Sequence, residues 1–290
     1  MKRNMVKIGN KLVGERQPCY VVAEIGINHN GSLETAKKLI KVSRDAGCSA
    51  VKFQKRTINV VYTPEELARP RESLFGGTNG DLKQGLEFGL AEYQEIDRYC
   101  KELDIHWFAS CWDEASVDFI EQFGPPCYKI ASASLTDDGL LRHHRKYGHP
   151  IVLSTGMSSI AEIEHAVEVL GKDDLIVMHS TSTYPAELSE LNLRMINTLK
   201  EKYDSPIGYS CHASGLAATF AAAVMGASMI EKHVTLDRAM WGSDQAASLE
   251  PQGISRLMDY ISLWELASGD GIKQVYESET PIREKLRRKG

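Results

Sequence analysis

The sequence predicts an α/β fold made of one (β/α)8 barrel, and three observations support this fold class. Short apolar segments alternate along the chain with segments of helical periodicity, and eight such pairs can be counted. The length of 290 residues is close to what one barrel of this kind needs. The predicted strands are continuous apolar runs, which is typical of parallel strands buried on both faces, and no Gly-x-Gly-x-x-Gly loop of a doubly wound open sheet occurs. We therefore expect a single domain that spans residues 1–290.

The predicted elements begin with a short hairpin within residues 1–18. Residues 6–13 alternate around Gly9 and Asn10, which is typical of two short strands and a tight turn, and we expect this hairpin to close the bottom of the barrel. The first strand of the barrel is predicted at residues 20–23. Ser32 can then cap a first helix that ends at Gly47.

Seven further strands follow, and each precedes a helical segment. They are predicted at residues 50–54, 106–110, 128–131, 151–154, 175–179, 207–210 and 229–233. The helix after the fifth strand is the clearest, because Ser159 and Glu162 form a capping box and Ile160, Ile163, Val167 and Leu170 share one helical face. The last helix is predicted at residues 254–267.

Two segments fall outside this alternation. Residues 56–90 are long, polar and rich in glycine, and they leave the end of the second strand, where barrel active sites lie. We expect this insertion to act as a lid; the alternative is an insertion that has no role in the active site. Residues 272–290 are expected to be a solvated C-terminal tail, since their basic side chains are interrupted by acidic ones.

Composition excludes several classes of protein. The net charge is −5 with both signs interspersed, which argues against a nucleic-acid-binding surface. No run of eighteen apolar residues and no signal-peptide core occurs, so we expect no membrane association and a cytoplasmic location. The six cysteines form no C-x-x-C pair, and we expect reduced thiols rather than disulfides or a zinc site.

Polar side chains collect at the carboxyl ends of the predicted strands, which is the rim where barrel enzymes carry their active sites. They are Glu24, Asn28, Lys52, Gln54, Ser110, Lys129, Ser132, Ser154, Thr155, His179, Thr181, Ser210, His212, Glu231 and His233. Side chains two apart in a strand share a face, so Lys52 and Gln54 can point into the barrel together, as can Glu231 and His233. Burying so many ionisable groups is costly unless they bind something.

These residue types indicate two kinds of binding. Lys52 and Lys129, with several serines, can hold a phosphate and a carboxylate through charge-assisted hydrogen bonds, although each lysine can instead form a salt bridge to a neighbouring glutamate. His212 and His233 lie on adjacent predicted strands and can ligate a divalent metal through neutral imidazole nitrogens. The alternative for each histidine is a hydrogen-bonded core residue.

Five segments closely resemble the N-acetylneuraminate (sialic acid) synthase family. They are AEIGINHNG at 23–31, VKFQ at 51–54, YKI at 128–130, LSTGM at 153–157 and YP at 184–185. The resemblance covers the chain from Tyr20 to about Gly271, and each segment lies at or just beyond a predicted strand end. It implies a barrel that condenses phosphoenolpyruvate with a sugar aldehyde such as N-acetylmannosamine. It also implies a divalent metal, Mn²⁺ or else Mg²⁺ or Co²⁺, and a homodimer.

The resemblance assigns roles by position. Lys52, Ser110, Lys129, Ser132, Ser154 and Ser210 resemble the family's phosphoenolpyruvate-binding residues, and His212 and His233 resemble its metal ligands. Glu24 resembles an acidic residue beside the reacting carbons and is our candidate for activating water, so the catalytic set is Glu24, His212 and His233. Tyr184 and Asp244 resemble sugar-site residues, and Gln54 joins the substrate-binding set because it is predicted to face inward beside Lys52.

Three departures from the family's pattern concern the sugar half of the site. The family normally carries a C-terminal antifreeze-like domain that contributes to the partner's sugar site, and this chain is expected to lack it. Ser134 stands where the family has an acidic residue that grips the sugar. Ser182 replaces an asparagine, and Cys211 replaces an aspartate before the metal histidine.

Other functions remain open at this stage. A heptulosonate- or octulosonate-type synthase would need extra basic residues for a second phosphate, for which Arg142, His143 and His144 are candidates, although we expect them on the surface. A Schiff-base aldolase would use Lys129 or Lys52 as its nucleophile. A non-catalytic, sugar-binding barrel is the third alternative.

The sequence also predicts where one cysteine and two tryptophans lie relative to the barrel. Cys211 is expected to face outward, because neighbours in a strand point to opposite faces. Trp112 and Trp241 are the tryptophans nearest the rim loops and are candidates for a sugar pocket.

Overall fold

A computed structural model describes residues 5–288 and contains a closed barrel of eight parallel strands, which confirms the predicted fold class. In chain order the barrel strands are β1 (Tyr20–Gly26), β2 (Ala50–Lys55), β3 (His106–Cys111), β4 (Tyr128–Ile130), β5 (Ile151–Ser154), β6 (Leu175–Ser180), β7 (Ile207–Cys211) and β8 (Met229–His233). Each strand pairs in parallel with the next, and β8 pairs with β1 to close the ring. Every strand begins at its predicted residue; five run one to three residues beyond the predicted end, because strand pairing continues into the polar rim, and β4 ends one residue early, at Ile130.

Eight helices form the outer layer, one after each barrel strand. They are α1 (Leu33–Asp45), α2 (Leu90–Glu102), α3 (Glu114–Glu121), α4 (Asp138–Arg145), α5 (Ile160–Leu170), α6 (Met195–Lys202), α7 (Ala217–Val224) and α8 (Pro251–Ser268). Ser32 caps α1 as predicted, since its hydroxyl oxygen accepts the N–H of Thr35 at 3.2 Å. The capping box of Ser159 and Glu162 at α5 is also present.

The predicted apolar face of α5 is wrong at one position. Ile163, Val167 and Leu170 are buried, but Ile160 is 38% exposed. Ile160 is the first residue of the helix, and the buried face of α5 begins at Ile163 and also includes Ala166. The last helix begins at Pro251, three residues before the predicted start, because proline is well suited to the first helical turn.

The N-terminal hairpin closes the bottom of the barrel as predicted. Val6–Ile8 pairs with Lys11–Val13 in antiparallel fashion, and Gly9 adopts φ +56° in the turn. The buried side chains of Val6, Ile8 and Val13 pack in one cluster with inward-facing barrel residues such as Phe108. The hairpin therefore supplies the apolar floor on which the polar rim stands at the opposite end.

Residues 56–90 have more structure of their own than the sequence predicted. The insertion contains the short helices Ile58–Val61 and Pro64–Leu67, a hairpin of Pro70–Ser73 with Gly76–Thr78, and the helix Asn79–Leu86. Polar contacts anchor its base: the N–H of Thr57 donates to Asp113 at 2.7 Å, and the guanidinium of Arg56 pairs with Glu87 at 3.2 Å. That it acts as a lid stays a prediction.

The remaining sequence expectations concern the surface and the cysteines. The described part of the tail, residues 272–288, is exposed throughout and carries one short helix, Thr280–Leu286. All six cysteines are free thiols. Within residues 5–288 no helix is both long and apolar enough to cross a membrane.

The histidines of α4 do not reach the rim. His144, which we expected on the surface, is fully buried, and its Nδ1 lies 2.9 Å from the carbonyl oxygen of Leu140. His143 lies beside Asp118, with its Nε2 2.7 Å from the carboxylate. These residues therefore provide no second phosphate site at the carboxyl ends of the strands.

The hairpin floor generates a stability prediction. Ile8→Ala should lower the free energy of unfolding by about 2–5 kcal/mol, because a fully buried side chain is removed from a closed apolar cluster. Urea unfolding followed by circular dichroism measures the change. Lys7→Ala, at the exposed position of the same strand, is the matched control and should change it by less than about 0.5 kcal/mol. Equal effects of the two changes would show that the hairpin is not part of the core.

Candidate active site

A polar pocket of about 160 Å³ lies at the carboxyl ends of the barrel strands. Its lining includes most of the predicted site residues: Glu24, Lys52, Gln54, Ser110, Lys129, Ser132, Ser154, Tyr184, Ser210, His212 and His233. Asp244 does not line the pocket itself, but its Oδ2 lies 3.8 Å from Nδ1 of His233. The structure thus brings the predicted set together at one end of the barrel, whereas the roles assigned to its members stay predictions.

Strand alternation decides which side chains enter the pocket. Glu231 and His233 of β8 face inward and are nearly fully buried, whereas Lys232 between them faces the helix layer. His179 of β6, which belonged to the predicted rim, also points outward. Its Nε2 lies 2.7 Å from the carbonyl oxygen of Leu191, so it takes no part in the pocket.

The centre of the pocket is a cluster of buried charges. The ammonium of Lys52 lies 3.1 Å from Oε2 of Glu24 and 3.4 Å from Oε1 of Glu231. The ammonium of Lys129 lies 3.5 Å from the same oxygen of Glu231 and donates to the hydroxyl of Ser154 at 2.7 Å. Both lysines therefore pair with glutamate, which was the alternative to anion binding, but they do so within the shared pocket.

These neighbours set the ionisation of the cluster. Burial raises the pKa of Glu231, but the ammonium groups of Lys129 and Lys52 outweigh it and hold that pKa at about 2. Burial raises the pKa of Glu24 to about 7, against the opposing charge of Lys52. Burial also lowers the pKa of Lys129 to about 8, whereas Glu231 and Glu24 give Lys52 a net upward shift. Near neutral pH the cluster can both hold charge and exchange a proton at Glu24.

A chain of side chains links Glu24 to the insertion. Oε1 of Glu24 accepts from the amide nitrogen of Gln54 at 3.0 Å, and the guanidinium of Arg56 donates to the amide oxygen of Gln54. Oε2 of Glu24 faces Lys52 without hydrogen-bond geometry, although the two groups are close enough for an ion pair. The guanidinium of Arg56 also lies 4.6 Å from the ring of Trp112, which lines the pocket.

Two imidazoles lie side by side in the wall of the pocket. The rings of His212 and His233 are 5.6 Å apart, and burial lowers both pKa values to about 3, so both are neutral. Nδ1 of His212 must donate to the carbonyl oxygen of Thr181 at 2.6 Å, which leaves Nε2 with a lone pair that accepts from the hydroxyl of Tyr184 at 2.9 Å. Nδ1 of His233 is buried and has no hydrogen-bond partner.

The residues present suit a metal ion only in part. Two neutral imidazoles, one with an unpartnered buried nitrogen, are donors that Mn²⁺ and similar ions accept. Across residues 5–288, however, no three or more His, Cys, Asp or Glu side chains are grouped closely enough to hold an ion on their own. An ion at His212 and His233 would therefore need ligands from substrate or water, as an open catalytic site does.

Sequence reasoning left three contributors out of the predicted site set. Glu231 stood in the rim list without a role, although its spacing two residues before His233 places it on the same inward face. Arg56 was treated only as the start of the insertion. Lys232 is fully buried, and its ammonium donates to the carbonyl oxygens of Ala213 and, at 3.0 Å, Ala247. It ties the segments after β7 and before α8 to β8, and strand alternation alone does not reveal such backbone contacts.

The structure also shows where the three residues that depart from the family's pattern lie relative to the pocket. Ser182 lines the pocket, whereas Ser134 is buried below it and does not. Cys211 faces outward as expected and packs in the core, 3.9 Å from the ammonium of Lys232. Of the tryptophans, Trp112 lines this pocket and Trp241 lines a separate cavity beneath the insertion.

A closed (β/α)8 barrel with a charged pocket at the carboxyl ends of its strands defines the class of barrel enzymes. Residues 39–273 match the model of the NeuB family, and the chain belongs to that family. The human N-acetylneuraminate-9-phosphate synthase is 36% identical over 279 residues, which cover 94% of this chain and 78% of that protein. The N,N'-diacetyllegionaminic acid synthase of Campylobacter jejuni is 37% identical over 267 residues, covering 89% of this chain and 80% of that protein.

Solved structures agree with this assignment. The crystal structure of an N-acetylneuraminic acid (sialic acid) synthetase from Leptospira borgpetersenii, in complex with citrate, superposes with a TM-score of 0.86 at 31% identity. The match covers 99% of this chain and 99% of that chain. A truncated 3-deoxy-D-arabino-heptulosonate 7-phosphate synthase from Thermotoga maritima has a TM-score of 0.71 at 15% identity, over 94% of this chain and 95% of that one, and shows the fold alone.

The charge cluster generates a prediction. Glu231→Gln should lower the free energy of unfolding by about 3–5 kcal/mol at pH 7, because two buried ammonium groups lose the carboxylate between them. Inorganic phosphate should then stabilise the variant more than the parent, since an anion can replace the missing charge. Urea unfolding with and without phosphate measures both effects.

The matched control for this change is Glu168→Gln, at an exposed position of α5, which should leave stability nearly unaltered. An equally small effect of Glu231→Gln would contradict the mutual dependence of the buried charges.

Proposed function

We propose that this chain condenses phosphoenolpyruvate with a sugar aldehyde, N-acetylmannosamine or a related aldose, to give a sialic-acid-like 2-keto-3-deoxy sugar acid and phosphate. The observation that carries the proposal is the placement of Lys52 and Lys129 in one pocket with five serine hydroxyls, beside two neutral imidazoles. Membership of the NeuB family supports it, as do the names of the relatives.

Charge balance favours an anionic substrate in this pocket. Lys52 and Lys129 contribute two positive charges, Glu231 one negative charge, and Glu24 is half ionised near neutral pH. Phosphoenolpyruvate carries about three negative charges, two on the phosphate and one on the carboxylate. A divalent cation at His212 and His233 would supply most of the positive charge still needed.

The hydroxyl groups suit the same substrate. Ser154 already accepts a hydrogen bond from Lys129, and Ser210 donates to Glu231 at 3.0 Å. The hydroxyl of Ser132 accepts the N–H of Gly156 at 2.9 Å, which fixes the turn after β5 against the pocket. The hydroxyls of Ser132 and Ser154 accept in these contacts, so each can turn its own proton toward a phosphate oxygen without rearrangement of the backbone.

We propose that His212 and His233 hold a divalent metal, Mn²⁺ in the first instance and Mg²⁺ or Co²⁺ otherwise. When bound there, the ion would act as a Lewis acid on the aldehyde oxygen. His212 is oriented for this task by Thr181, and His233 by its place on β8. Tyr184 and Asp244 lie beside the two imidazoles, at 2.9 Å and 3.8 Å, and we assign them to the sugar.

The reaction joins the methylene carbon of the enol to the aldehyde carbon, and positive character then develops at the carbon that bears the phosphate. Glu24 and Glu231 flank Lys52 and can stabilise that charge. With its pKa raised to about 7, Glu24 can take a proton from the water that attacks this carbon. Phosphate then leaves from the resulting tetrahedral carbon as the keto acid forms.

A screen of aldoses tests the proposal. The protein is incubated with phosphoenolpyruvate, Mn²⁺ and each sugar, and phosphate release and product mass are recorded. N-acetylmannosamine or a close relative should give a product whose mass equals the sugar plus pyruvate. EDTA should abolish release, and Mn²⁺ should restore it. Failure of every sugar to release phosphate would refute the proposal and favour a non-catalytic, sugar-binding barrel.

Glu24 generates a kinetic prediction. Glu24→Gln should lower kcat by about 10²- to 10⁴-fold, the usual contribution of a general base, while phosphoenolpyruvate still binds. In the parent enzyme kcat/KM should rise as the pH increases through about 7, where Glu24 ionises, and fall above about 8, where Lys129 loses its proton. Steady-state kinetics from pH 5.5 to 9.5 check both limbs.

The Gln variant should lose the acidic limb and keep the basic one. Near-normal turnover by this variant would remove Glu24 from the role of base. Calorimetric binding of phosphoenolpyruvate is the accompanying control, because it separates loss of chemistry from loss of folding.

One observation favours a second candidate. Burial lowers the pKa of Lys129, which is how a lysine becomes nucleophilic enough for Schiff-base chemistry. A Schiff-base aldolase would form a borohydride-stable adduct with pyruvate at Lys129, detectable by mass spectrometry. The salt bridge of Lys129 to Glu231 keeps its amine protonated and weighs against this reading.

We also propose, from the family resemblance alone, that the protein acts as a cytoplasmic homodimer. Size-exclusion chromatography with light scattering tests the oligomeric state.

A further inference from the structure

The tip of the hairpin in the insertion carries two neighbouring apolar residues that differ in exposure. Leu74 is 70% exposed, whereas Phe75 is half-buried against the rest of the protein. The turn is held by Ser73, whose hydroxyl accepts the N–H of Phe75 at 3.2 Å and donates to the carbonyl oxygen of Gly76 at 3.0 Å. The insertion therefore presents one oriented aromatic ring at the end of its hairpin.

Two glycines leave room for this ring. A Cβ atom at Gly31, in the loop after β1, would lie 3.0 Å from Cζ of Phe75. A Cβ atom at Gly85, in the helix Asn79–Leu86, would overlap the ring itself, because its three nearest neighbours would all be ring atoms of Phe75. Glycine in a helix interior is unfavourable by itself, so the close approach of the ring accounts for a residue without a Cβ atom at position 85.

Trp241 completes the surroundings of Phe75. The two rings lie edge to face, with centroids 6.5 Å apart and planes at 74°. The carbonyl oxygen of Trp241 accepts from the amide of Asn30 at 2.8 Å and from the amide of Gln245 at 3.3 Å. We call Phe75, the two glycines and Trp241 the Phe75 cluster. It joins the insertion to two rim segments, which are the loop after β1 and the segment before α8.

The segment before α8 leads from the Phe75 cluster to the imidazoles. Asp244 lies three residues after Trp241, and its Oδ2 is 3.8 Å from Nδ1 of His233. The carbonyl oxygen of Asp244 accepts from the hydroxyl of Ser248 at 2.7 Å, so the segment is also fixed at the end nearer α8. The position of Trp241 therefore constrains the position of the Asp244 carboxylate.

The two lysines proposed to bind phosphoenolpyruvate have no contact of this kind. None of the four members of the Phe75 cluster lines the pocket that contains Lys52 and Lys129. Those lysines pair with Glu24 and Glu231, which belong to the barrel strands themselves. A change at Phe75 is therefore expected to act on the acceptor and not on phosphoenolpyruvate.

We propose that Phe75 is a positioning residue for the acceptor sugar, because it holds the segment that carries Asp244 against the insertion. The inference rests on the proposed function, in which Asp244 is assigned to the sugar. In this role Phe75 contacts neither substrate. Without the ring, Asp244 is held less firmly, so the sugar binds more weakly while the reaction of the bound substrates changes little.

Steady-state kinetics of Phe75→Ala test this role, with N-acetylmannosamine as the first acceptor used. The KM for the acceptor should rise about 3- to 30-fold, the usual size of effect when an aromatic contact that acts through a second residue is lost. The KM for phosphoenolpyruvate and kcat should stay within about twofold of the parent values. Loss of folding alone would lower kcat, through the active fraction, without changing either KM.

Leu74→Ala is the matched control, because Leu74 is the neighbour of Phe75 in the same turn and is exposed. It should keep the parent value of both KM constants. Phe75→Leu, which retains part of the apolar contact, should lie between the parent and Phe75→Ala. An unchanged acceptor KM in Phe75→Ala, or equal increases in Phe75→Ala and Leu74→Ala, would overturn the inference while leaving the condensation intact.

A double-mutant cycle with Gly85→Ala locates the effect in the Phe75 cluster. In the parent the new Cβ atom displaces the ring, so Gly85→Ala should raise the acceptor KM as Phe75→Ala does. In the Phe75→Ala background the ring is absent, and Gly85→Ala should then change this KM by less than about twofold. Equal increases in both backgrounds would show that the helix, and not Phe75, controls acceptor binding, and would contradict the inference.

Two measurements that do not depend on turnover separate failure of the inference from failure of the proposed function. Calorimetry with N-acetylmannosamine, in the presence of phosphoenolpyruvate, should show weaker binding by Phe75→Ala than by Leu74→Ala. Hydrogen exchange followed by mass spectrometry should be faster at residues 240–247 in Phe75→Ala alone. Both changes in a protein that releases no phosphate would uphold the positioning role and refute the proposed reaction. Exchange at the parent rate in Phe75→Ala would refute the positioning role even if condensation proceeds.

Discussion

The carboxylate of Glu231 between two buried ammonium groups is the interaction on which the pocket depends. Its Oε1 lies 3.4 Å from Lys52 and 3.5 Å from Lys129, and it also accepts from Ser210. Three charges buried close together are tolerable only because each has an opposite charge or a hydroxyl beside it. The same carboxylate favours the charged form of both lysines, so the ion pair supports the proposed binding of an anion and does not oppose it.

The side chains of β8 alternate between the pocket and the opposite face of the strand, where they contact the neighbouring loops. Glu231 and His233 face the pocket, whereas Lys232 faces outward and binds backbone carbonyls of two rim segments. A lysine in the helix layer is costly by itself, but it satisfies carbonyl groups that would otherwise be buried without donors. The strand that carries Glu231 and His233 therefore also fixes the loops beside them.

Much of this arrangement follows from local sequence. The two exceptions lie in segments without an alternating apolar pattern that would reveal them. Apolar runs and caps such as Ser32 and Ser159 predict the barrel, because each acts within a few residues. His179 could not be placed from its rim position, since the residues before it in β6 are all apolar and do not reveal which of them face inward. The internal structure of residues 56–90 was missed because polar contacts such as Arg56 with Glu87 order it, and these leave no apolar periodicity.

Residues 56–90 nevertheless influence the charge of Glu24, because Arg56 contacts it through the side-chain amide of Gln54. Because Arg56 holds the oxygen of Gln54, the nitrogen of that amide must face Glu24 and donate to it. A hydrogen bond donated to a carboxylate favours its ionised form, so this contact opposes the effect of burial on the pKa of Glu24. Arg56 in turn is held by Glu87, at the far end of the insertion. The packing of residues 56–90 is thereby coupled to the protonation of Glu24.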